Sequence, residues 1–579
     1  MLSRAMLLVV CVLLQQIGAA CADCHADIAA SYRSSGMAQA LGPLRAGELR
    51  ELAPVAARDG AGAWQLLEQA GRSKIAWTPA DAPASAVQRG LVFAIGAGRL
   101  DRSYVELRRG SSAEAPGYWH FAALERVTDE LGVARAALAP WASIDPSASL
   151  GPAITPECLA CHTTSLPPAT YPLHLARSAQ AWQPTGIDCV GCHARADEHA
   201  AWRRAELAGV AATGPDPLVH GLSRLHAVSV CAGCHLQGDA RIELDAGAVA
   251  PPPPGEDLLE KRAVYVAAEA GEEIGFVSHV ERMVLSRCWS EDPGEGGLRC
   301  ETCHDPHRSL SDPRERADVR AACAQCHSDG DCTTPREERG AQDCVSCHMR
   351  RTGTFDVAKV AIHDHWIRRR LPELGPAGPL RVEETLDGRL RRFDWNLAGA
   401  RVPPADAALD LLAYAKLARS HATARERAGQ LARAEPSGPA RELGMVHHVR
   451  AWMLEGQGEI EAARISYKRA LLVDPGLEES RVNLGLLLAR NGRAAEGRSL
   501  LDEVLRRHPH AEGALRNRAL AWQALGDPVA MRADLAAAQA LLPSASVARA
   551  LAQMYAQGAL DPTAASAWAA EAARLERQR

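Results

Sequence analysis

The sequence predicts a mostly α-helical chain in two dissimilar parts. The first is a cysteine-rich domain with little regular structure and a small β-rich insert, and the second is an α-solenoid of tetratricopeptide (TPR) type. Three observations predict this. Fourteen of the 17 cysteines fall in seven copies of Cys-x-x-Cys-His, a cysteine-free stretch after the first copy reads as short strands, and Gly and Pro landmarks recur every 34 residues in the tail. At 579 residues the chain is too long for one ordinary core.

Residues 1–20 read as a signal peptide. Arg4 supplies the positive end, Ala5 to Leu14 the apolar stretch, and Ile17-Gly18-Ala19-Ala20 the small residues before cleavage. The apolar stretch falls well short of the roughly 20 residues that span a bilayer, and no later segment is long enough, so a periplasmic chain without a transmembrane segment is expected. Cys21 follows the small residues as a lipidated cysteine would, but it belongs to the first cysteine motif. The net charge of -5 is spread over interspersed Asp, Glu and Arg, with no basic block, which excludes nucleic acid as a partner. Only 4% of residues are aromatic, so rings are scarce as core filler and porphyrin is expected to take their place.

The cysteine motifs carry the chemistry. They are Cys21/Cys24/His25, Cys158/Cys161/His162, Cys189/Cys192/His193, Cys231/Cys234/His235, Cys300/Cys303/His304, Cys323/Cys326/His327 and Cys344/Cys347/His348. A shuffled chain of this composition would hold roughly 0.02 copies of this haem-attachment pattern. Two thiols three positions apart reach the two vinyl groups on one edge of a porphyrin, and the next imidazole then falls beneath the iron. Seven covalent haems c are therefore expected. Zinc is the first alternative, but zinc needs no His after every Cys pair. Disulfides are the second, but bridges across two residues are strained and reducible. Of the other cysteines, Cys11 leaves with the signal peptide; Cys288 and Cys332 form either a structural disulfide or two buried thiols.

An iron with His on both faces carries electrons, whereas one with an open face can bind a small molecule. The sixth ligands therefore decide the chemistry. His307 follows His304 in Cys-His-Asp-Pro-His, where Pro306 stops a helix and turns the imidazole away from its own haem. His199 follows His193 by six residues, His279 precedes the fifth motif, and His365 lies beyond the seventh; these four are the candidate distal ligands. His174, His220 and His226 are weaker candidates, as ready to face solvent or bond a propionate. Met37 is either a thioether ligand or a core residue.

Cys21 to Leu41, Gly186-Ile-Asp-Cys-Val-Gly-Cys-His, Arg299-Cys-Glu-Thr-Cys-His-Asp-Pro-His and Asp343-Cys-Val-Ser-Cys-His-Met resemble multihaem cytochromes c of the nitrifier tetrahaem type, in a branch fused to TPR repeats. The resemblance covers roughly residues 21–370. It implies periplasmic electron carriers with mostly bis-His haems in close pairs, and an ancestry shared with hydroxylamine oxidoreductase and multihaem nitrite reductases. It also implies that His199, His279, His307 and His365 lie at or near ligand positions. Relatives often have Gly-Pro-Gly where this chain has Ala194-Arg195-Ala196-Asp197, and a His expected near Ala97 to Tyr104 is missing. There is no Cys-x-x-Cys-Lys and no clear counterpart of a tyrosine-crosslinked haem, which removes the hallmarks of the two enzyme families.

Along the chain, the haem-bearing domain is expected over 21–365 with a β-rich insert at about 42–155. A Pro-rich linker is expected over 366–405 and TPR-like helices over 406–579. Gly458, Gly492 and Gly526 are 34 apart, as are Pro475, Pro509 and Pro543, and Ala463, Tyr467 and Ala470 fit the small, aromatic, small pattern by which one helix packs on its partner. Such a solenoid offers a groove for another protein, although self-association is an alternative. The reading that unites these features is electron transfer to or from a redox partner docked by the TPR arm. Its rivals are an oxidoreductase acting on a small nitrogen or sulfur compound at an open haem, and a scaffold whose haems are secondary.

Overall fold

The computed structural model describes residues 21–576, apart from 46, 50–51, 57–61, 70, 81–86, 98–100, 110–116, 129–133, 140–151, 168–170, 173–174, 177–181, 211–213, 219–220, 246–249, 268–271, 273, 292–293, 335–343, 358–359, 372–389, 396–404 and 558–560. The expected signal peptide, His174, His220 and the middle of the expected linker lie outside the described residues. Two compact units emerge. One comprises Met1–Gly42, Leu159–Leu166 and Pro184–Pro404; the other comprises Pro43–Cys158, Pro167–Gln183 and Ala405–Arg579.

The first unit carries the cysteine motifs, apart from Cys158 of the second, on turns and short helices. Its small apolar core joins Val228 and Ala232 of the helix Arg224–His235 to Val264 of the strand Arg262–Ala267, and to Val280, Val284, Trp289 and Phe393. Arg224 anchors this core, with its guanidinium 3.9 Å over the Trp289 ring and hydrogen bonds to the carbonyls of Leu298 and Trp289. The stretch read as a linker contributes to it. Leu390–Arg392 pairs antiparallel with Arg262–Ala267, Phe393 is 2% exposed, and the Trp289 Nε1–H donates to the Trp395 carbonyl at 2.7 Å. The flanking prolines drew attention away from one short run, Leu390 to Trp395, whose aromatic residues need burial.

In the second unit the insert is larger than expected. It is an antiparallel meander of β1 (Val55–Ala56), β2 (Gly62–Gln69), β3 (Arg72–Pro79), β4 (Val87–Ile95), β5 (Asp101–Arg109), β6 (Gly117–Thr128) and β7 (Ala134–Leu138), and β8 (Leu175–Ala176) also pairs with β6. Because β1 also comes beside β7, the meander curls into a barrel-like sheet. Trp64, Leu66, Ile75, Tyr104, Ala122 and Leu124 fill its interior. The small residues Ala122 and Ala123 are buried on β6, so the strand carries little of the bulky alternation that betrays strands in sequence. A buried ion pair pins the entry loop: Arg102 donates to Glu48 at 2.9 Å, and the Tyr104 hydroxyl donates to the same carboxylate at 2.8 Å.

The rest of this unit is a helical solenoid of five antiparallel pairs: α1 (Ala407–Leu417) with α2 (Ala422–Arg433), α3 (Gly444–Gly456) with α4 (Ile460–Val473), α5 (Glu478–Arg490) with α6 (Ala494–Arg507), α7 (Glu512–Leu525) with α8 (Pro528–Leu541), and α9 (Ala545–Ala556) with α10 (Pro562–Glu576). The 34-residue glycines have one job. Gly458, Gly492 and Gly526 turn the chain inside successive pairs with φ of 80°, 78° and 75°, a left-handed conformation that side chains resist. Ala463, Tyr467 and Ala470 are fully buried between α3 and α4. Arg518 ties neighbouring helices by bonding Asp502 of α6 and Asp534 of α8.

α5 and α6 cross closely: a Cβ on Gly485 would come 2.8 Å from Leu501 Cγ, and a Cβ on Gly497 would collide with the Gly485 carbonyl. Both obstacles are rigid. Gly497→Val is therefore expected to destabilise the solenoid by about 1–3 kcal/mol or more through overpacking, read as a lower melting temperature, whereas Gly513→Ala, which meets nothing within 4 Å, should leave it unchanged or slightly raised.

The solenoid surface is partly covered by its own unit. Tyr118 of β6 is buried among Val482, Leu501 and Leu515 and donates to the His510 carbonyl at 3.2 Å, while the Tyr171 ring meets His508 edge to face. Among the described residues no helix is long and apolar enough to cross a membrane.

Candidate functional site

Local backbone geometry gives most of the cysteine motifs one shape. In the first, third, fifth and sixth, the His amide donates to the carbonyl of the first Cys at 2.9–3.0 Å, and the second Cys amide donates to the same carbonyl at 3.2–3.3 Å. The fourth and seventh lie within α-helical turns, Arg224–His235 and Cys344–His348. Such a turn puts residues i and i+3 on one face, so both thiols project together and the imidazole stands beside them. Asp188 fixes the third motif by accepting from the Val190 amide at 3.2 Å. The second motif differs: the His162 amide bonds the Leu159 carbonyl instead.

The motifs pack against one another out of sequence order. Thiols of different motifs lie close enough to shift one another's ionisation: Cys21 with Cys189, Cys161 with Cys234, Cys231 with Cys300, and Cys323 with Cys344. Cys192 neighbours Cys231. The first attachment site thus adjoins the third, the third adjoins the fourth, and the fourth adjoins both the second and the fifth.

Cys24, Cys326 and Cys347, of the first, sixth and seventh motifs, are all exposed, as are Cys158 and Cys344. In the first and sixth motifs the first thiol, Cys21 or Cys323, lies beside a thiol of another motif. Cys231 and Cys234 of the fourth site are partly buried. At the three exposed thiols the attachment role is carried by the Cys-x-x-Cys-His pattern and not by a buried cradle.

Imidazoles from distant segments meet in pairs. His25 stacks against His199 with ring centroids 6.5 Å apart, His193 lies against His307 at 6.0 Å with planes 6° apart, and His304 lies 6.2 Å from His365. Two imidazoles bonded to one metal from opposite faces have centroids about 6 Å apart, because each metal–nitrogen bond is about 2 Å and the ring centre lies about 1 Å beyond. These three separations fit an iron between the rings. His235 and His279 are closer, 4.9 Å apart at 87°, and His279 also touches His365 at 4.5 Å. That pair must open by about an ångström to receive the same group. The four distal candidates from the sequence, His199, His279, His307 and His365, each face the imidazole of a cysteine motif.

Burial keeps several of these rings neutral, with a lone pair free for a metal. Desolvation holds His235 and His162 below the ordinary histidine range and His279 well below it; His365 is pushed down to about 4 by burial and then by the neighbouring His304. His235 Nδ1 is buried without a hydrogen-bond partner among the described residues. Where a second imidazole faces the motif, at His25, His193, His235 and His304, two thiols that could hold a porphyrin and two imidazoles that could hold its iron fit haem c. Among the described residues no three His, Cys, Asp or Glu side chains converge as a metal-ion cage would need.

A second shell supports the rings, and sequence reasoning missed it. The His304 Nδ1 lies 2.9 Å from Glu315, whose side chain is 4% exposed; the His199 Nδ1 lies 2.7 Å from Asp216; and the His307 Nδ1 lies 3.3 Å from Asp305. Backbone carbonyls serve elsewhere: Ala40 for His162, Arg368 for His348 and His363 for His365. Only Asp305, inside Cys-His-Asp-Pro-His, carried a local signal.

Other candidates lie apart. His226 is in the first turn of Arg224–His235, its amide capped by Ser223, and Met37 is half-buried, its carbonyl accepting from the Ile187 amide at 3.0 Å. Among the described residues no second imidazole stands opposite His162, His327 or His348. Cys288 and Cys332 are both free thiols, so the disulfide weighed from sequence does not form.

Comparison with curated proteins gives no match. Among solved structures, MamA from Desulfovibrio magneticus RS-1 (residue 41 to the end) is 17% identical over 30% of this chain and 98% of its own, with a TM-score of 0.27; PilW, a type IV pilus biogenesis factor, is 19% identical over 29% and 78%, with a TM-score of 0.26. A family model described as a doubled CXXCH motif matches residues 292–331, the stretch that holds the fifth and sixth attachment sites, and points to covalent c-type haem.

Proposed function

We propose that this chain is a periplasmic multihaem c-type cytochrome, of the kind represented by the nitrifier tetrahaem cytochromes, which passes electrons along seven covalent haems to or from a protein partner docked by its TPR-like arm. The observation that carries the proposal is the pairing of motif imidazoles with His199, His307 and His365 at the separation an iron requires. Haem supplies a one-electron Fe(III)/Fe(II) couple when bound. The chain's part is to hold each ring rigidly, exclude water and place attachment sites close enough to communicate. The nearness of thiols from different sites supports that closeness. The sheet's tyrosines already occupy the α6–α7 corner of the solenoid, which leaves its remaining faces for a partner.

A second reading has its own support. The lack of an opposing imidazole at His162, His327 and His348 among the described residues is the arrangement an oxidoreductase acting on a small nitrogen or sulfur compound would need. Two measurements on protein from a haem-attaching host decide. Mass spectrometry should find seven porphyrins added to a chain cleaved after residue 20, with the protein in the periplasmic fraction; unmodified thiols or bound zinc would end the cytochrome reading. Absorption and EPR spectra should be low-spin and unmoved by nitrite or cyanide for a carrier. A high-spin fraction that binds them would favour the oxidoreductase.

A further inference from the structure

The second shell is not uniform, and its distribution gives the relay a direction. At the first, third and fifth sites one imidazole of the pair is backed by a carboxylate: Asp216 behind His199, Asp305 behind His307 and Glu315 behind His304. Glu315 is the most committed of these, being buried and also accepting from the Asp305 amide at 3.3 Å. A carboxylate that takes the Nδ1 proton makes the other nitrogen a stronger donor, which favours Fe(III) and lowers the potential.

The second and fourth sites are built the other way. His162 has only the Ala40 carbonyl at 3.3 Å, and the buried His235 Nδ1 has no partner among the described residues. Where the two sites meet, at Cys161 and Cys234, a cation is inserted: the Arg241 Nη1 lies 3.8 Å from Cys161 Sγ. Glu243 does not cancel it, because Arg262 takes both oxygens of that carboxylate at 2.8 and 3.0 Å. Arg262 also donates to the Gly233 carbonyl between the two cysteines of the fourth motif. Glu301 is the opposing charge, and it lies on the Cys231 side toward the fifth site. A fixed positive charge near an iron favours its reduced form.

We infer that the second and fourth attachment sites form the high-potential end of the relay, with Arg241 as the positioning residue that sets it and Glu315 as the residue that holds the fifth site low. The inference rests on the cytochrome reading. With haem bound, the couple held at the fourth or second site would accept one electron from the couple held at a flanking site, and no proton or further reactant would be required. The fourth site adjoins the third, the fifth and the second, so electrons entering on either flank converge there.

A redox titration of the intact haem-loaded protein, followed by absorbance, tests this in three forms. Arg241→Gln should shift the highest-potential component downward by roughly a tenfold change in the oxidised-to-reduced ratio, about 59 mV for one electron, and leave the lowest unmoved. Glu315→Gln should raise the lowest component by a similar amount, and Asp216→Asn gives the same readout at the first site should the Glu315 variant fail to fold. A full haem complement with an Arg241→Gln curve that superimposes on the parent, or that moves the lowest component instead, overturns the direction alone. Absence of covalent haem from the parent protein overturns the cytochrome reading itself.

Discussion

Replacing Arg282 with methionine should cost the haem-motif unit about 3–5 kcal/mol, enough to unfold it in the upper part of the physiological temperature range. Arg282 grips Asp364 with two parallel bonds, Nε to Oδ1 at 2.9 Å and Nη2 to Oδ2 at 2.6 Å, and the two side chains are 7% and 0% exposed. The same carboxylate accepts from the Trp366 amide at 3.0 Å, and the Arg282 and Arg368 guanidinium groups cover the Trp366 ring at 4.9 and 4.5 Å. Methionine fills much of the volume but leaves Asp364 charged, buried and without its main partner. Removing one member of such a pair is far costlier than removing both. The double variant Arg282→Met with Asp364→Leu should therefore recover most of the loss. Chemical denaturation followed by circular dichroism reads both. A single variant within about 0.5 kcal/mol of the parent, the ordinary range of surface changes, would show that the pair has no such structural role.

The position of this pair explains why it reaches beyond stability. Asp364 immediately precedes His365, whose ring sits 6.2 Å from His304, and the Ser286 hydroxyl donates to the His365 carbonyl. The segment presenting one distal imidazole is thus held by an ion pair to the helix His279–Met283, which presents another. Loss of Arg282 should loosen both.

What could be read from the sequence divides along physical lines. Thioether attachment needs two thiols and an imidazole within five consecutive residues, so it leaves a local pattern that survives without knowledge of the fold. Burial leaves no such pattern: Cys24, Cys326 and Cys347 are exposed and Cys234 is partly buried in the same five-residue motif, and only the packing of whole segments separates them. The solenoid repeats because each helix pair must pack on the next, and the requirement for φ near 80° selects glycine at Gly458, Gly492 and Gly526. The second shell left almost no trace. Glu315 is eleven residues from His304 and Asp216 is seventeen from His199, and an acidic residue at such distances is unremarkable until the fold closes. The sheet was underestimated for a different reason. Its strands bury Ala76, Ala94, Ala122 and Ala123 where larger residues would mark a core face, and its ladder runs on to Leu175–Ala176, beyond the second cysteine motif.

Removing the imidazole of His307 should turn the third site from a closed position into an open one. The ring lies nearly parallel to that of His193, with centroids 6.0 Å apart, and its orientation comes from short-range bonds: the His307 amide donates to Asp305 Oδ1 at 3.0 Å and the ring Nδ1 lies 3.3 Å from the same oxygen. The side chain is 39% exposed, so truncation to alanine leaves little cavity and the unit should keep its fold. With that imidazole gone, a haem held at the third site would keep only the His193 ring, and EPR should show an added high-spin fraction that binds nitrite or cyanide. His199→Ala should do the same at the first site, facing His25. His226→Ala is the control, since that residue lies in the first turn of a helix and faces no motif imidazole among the described residues. A His307→Ala protein with full haem content and an unchanged low-spin spectrum would mean that another group holds the third iron, and that the stacked imidazoles in this structure are neighbours without being ligands to one metal.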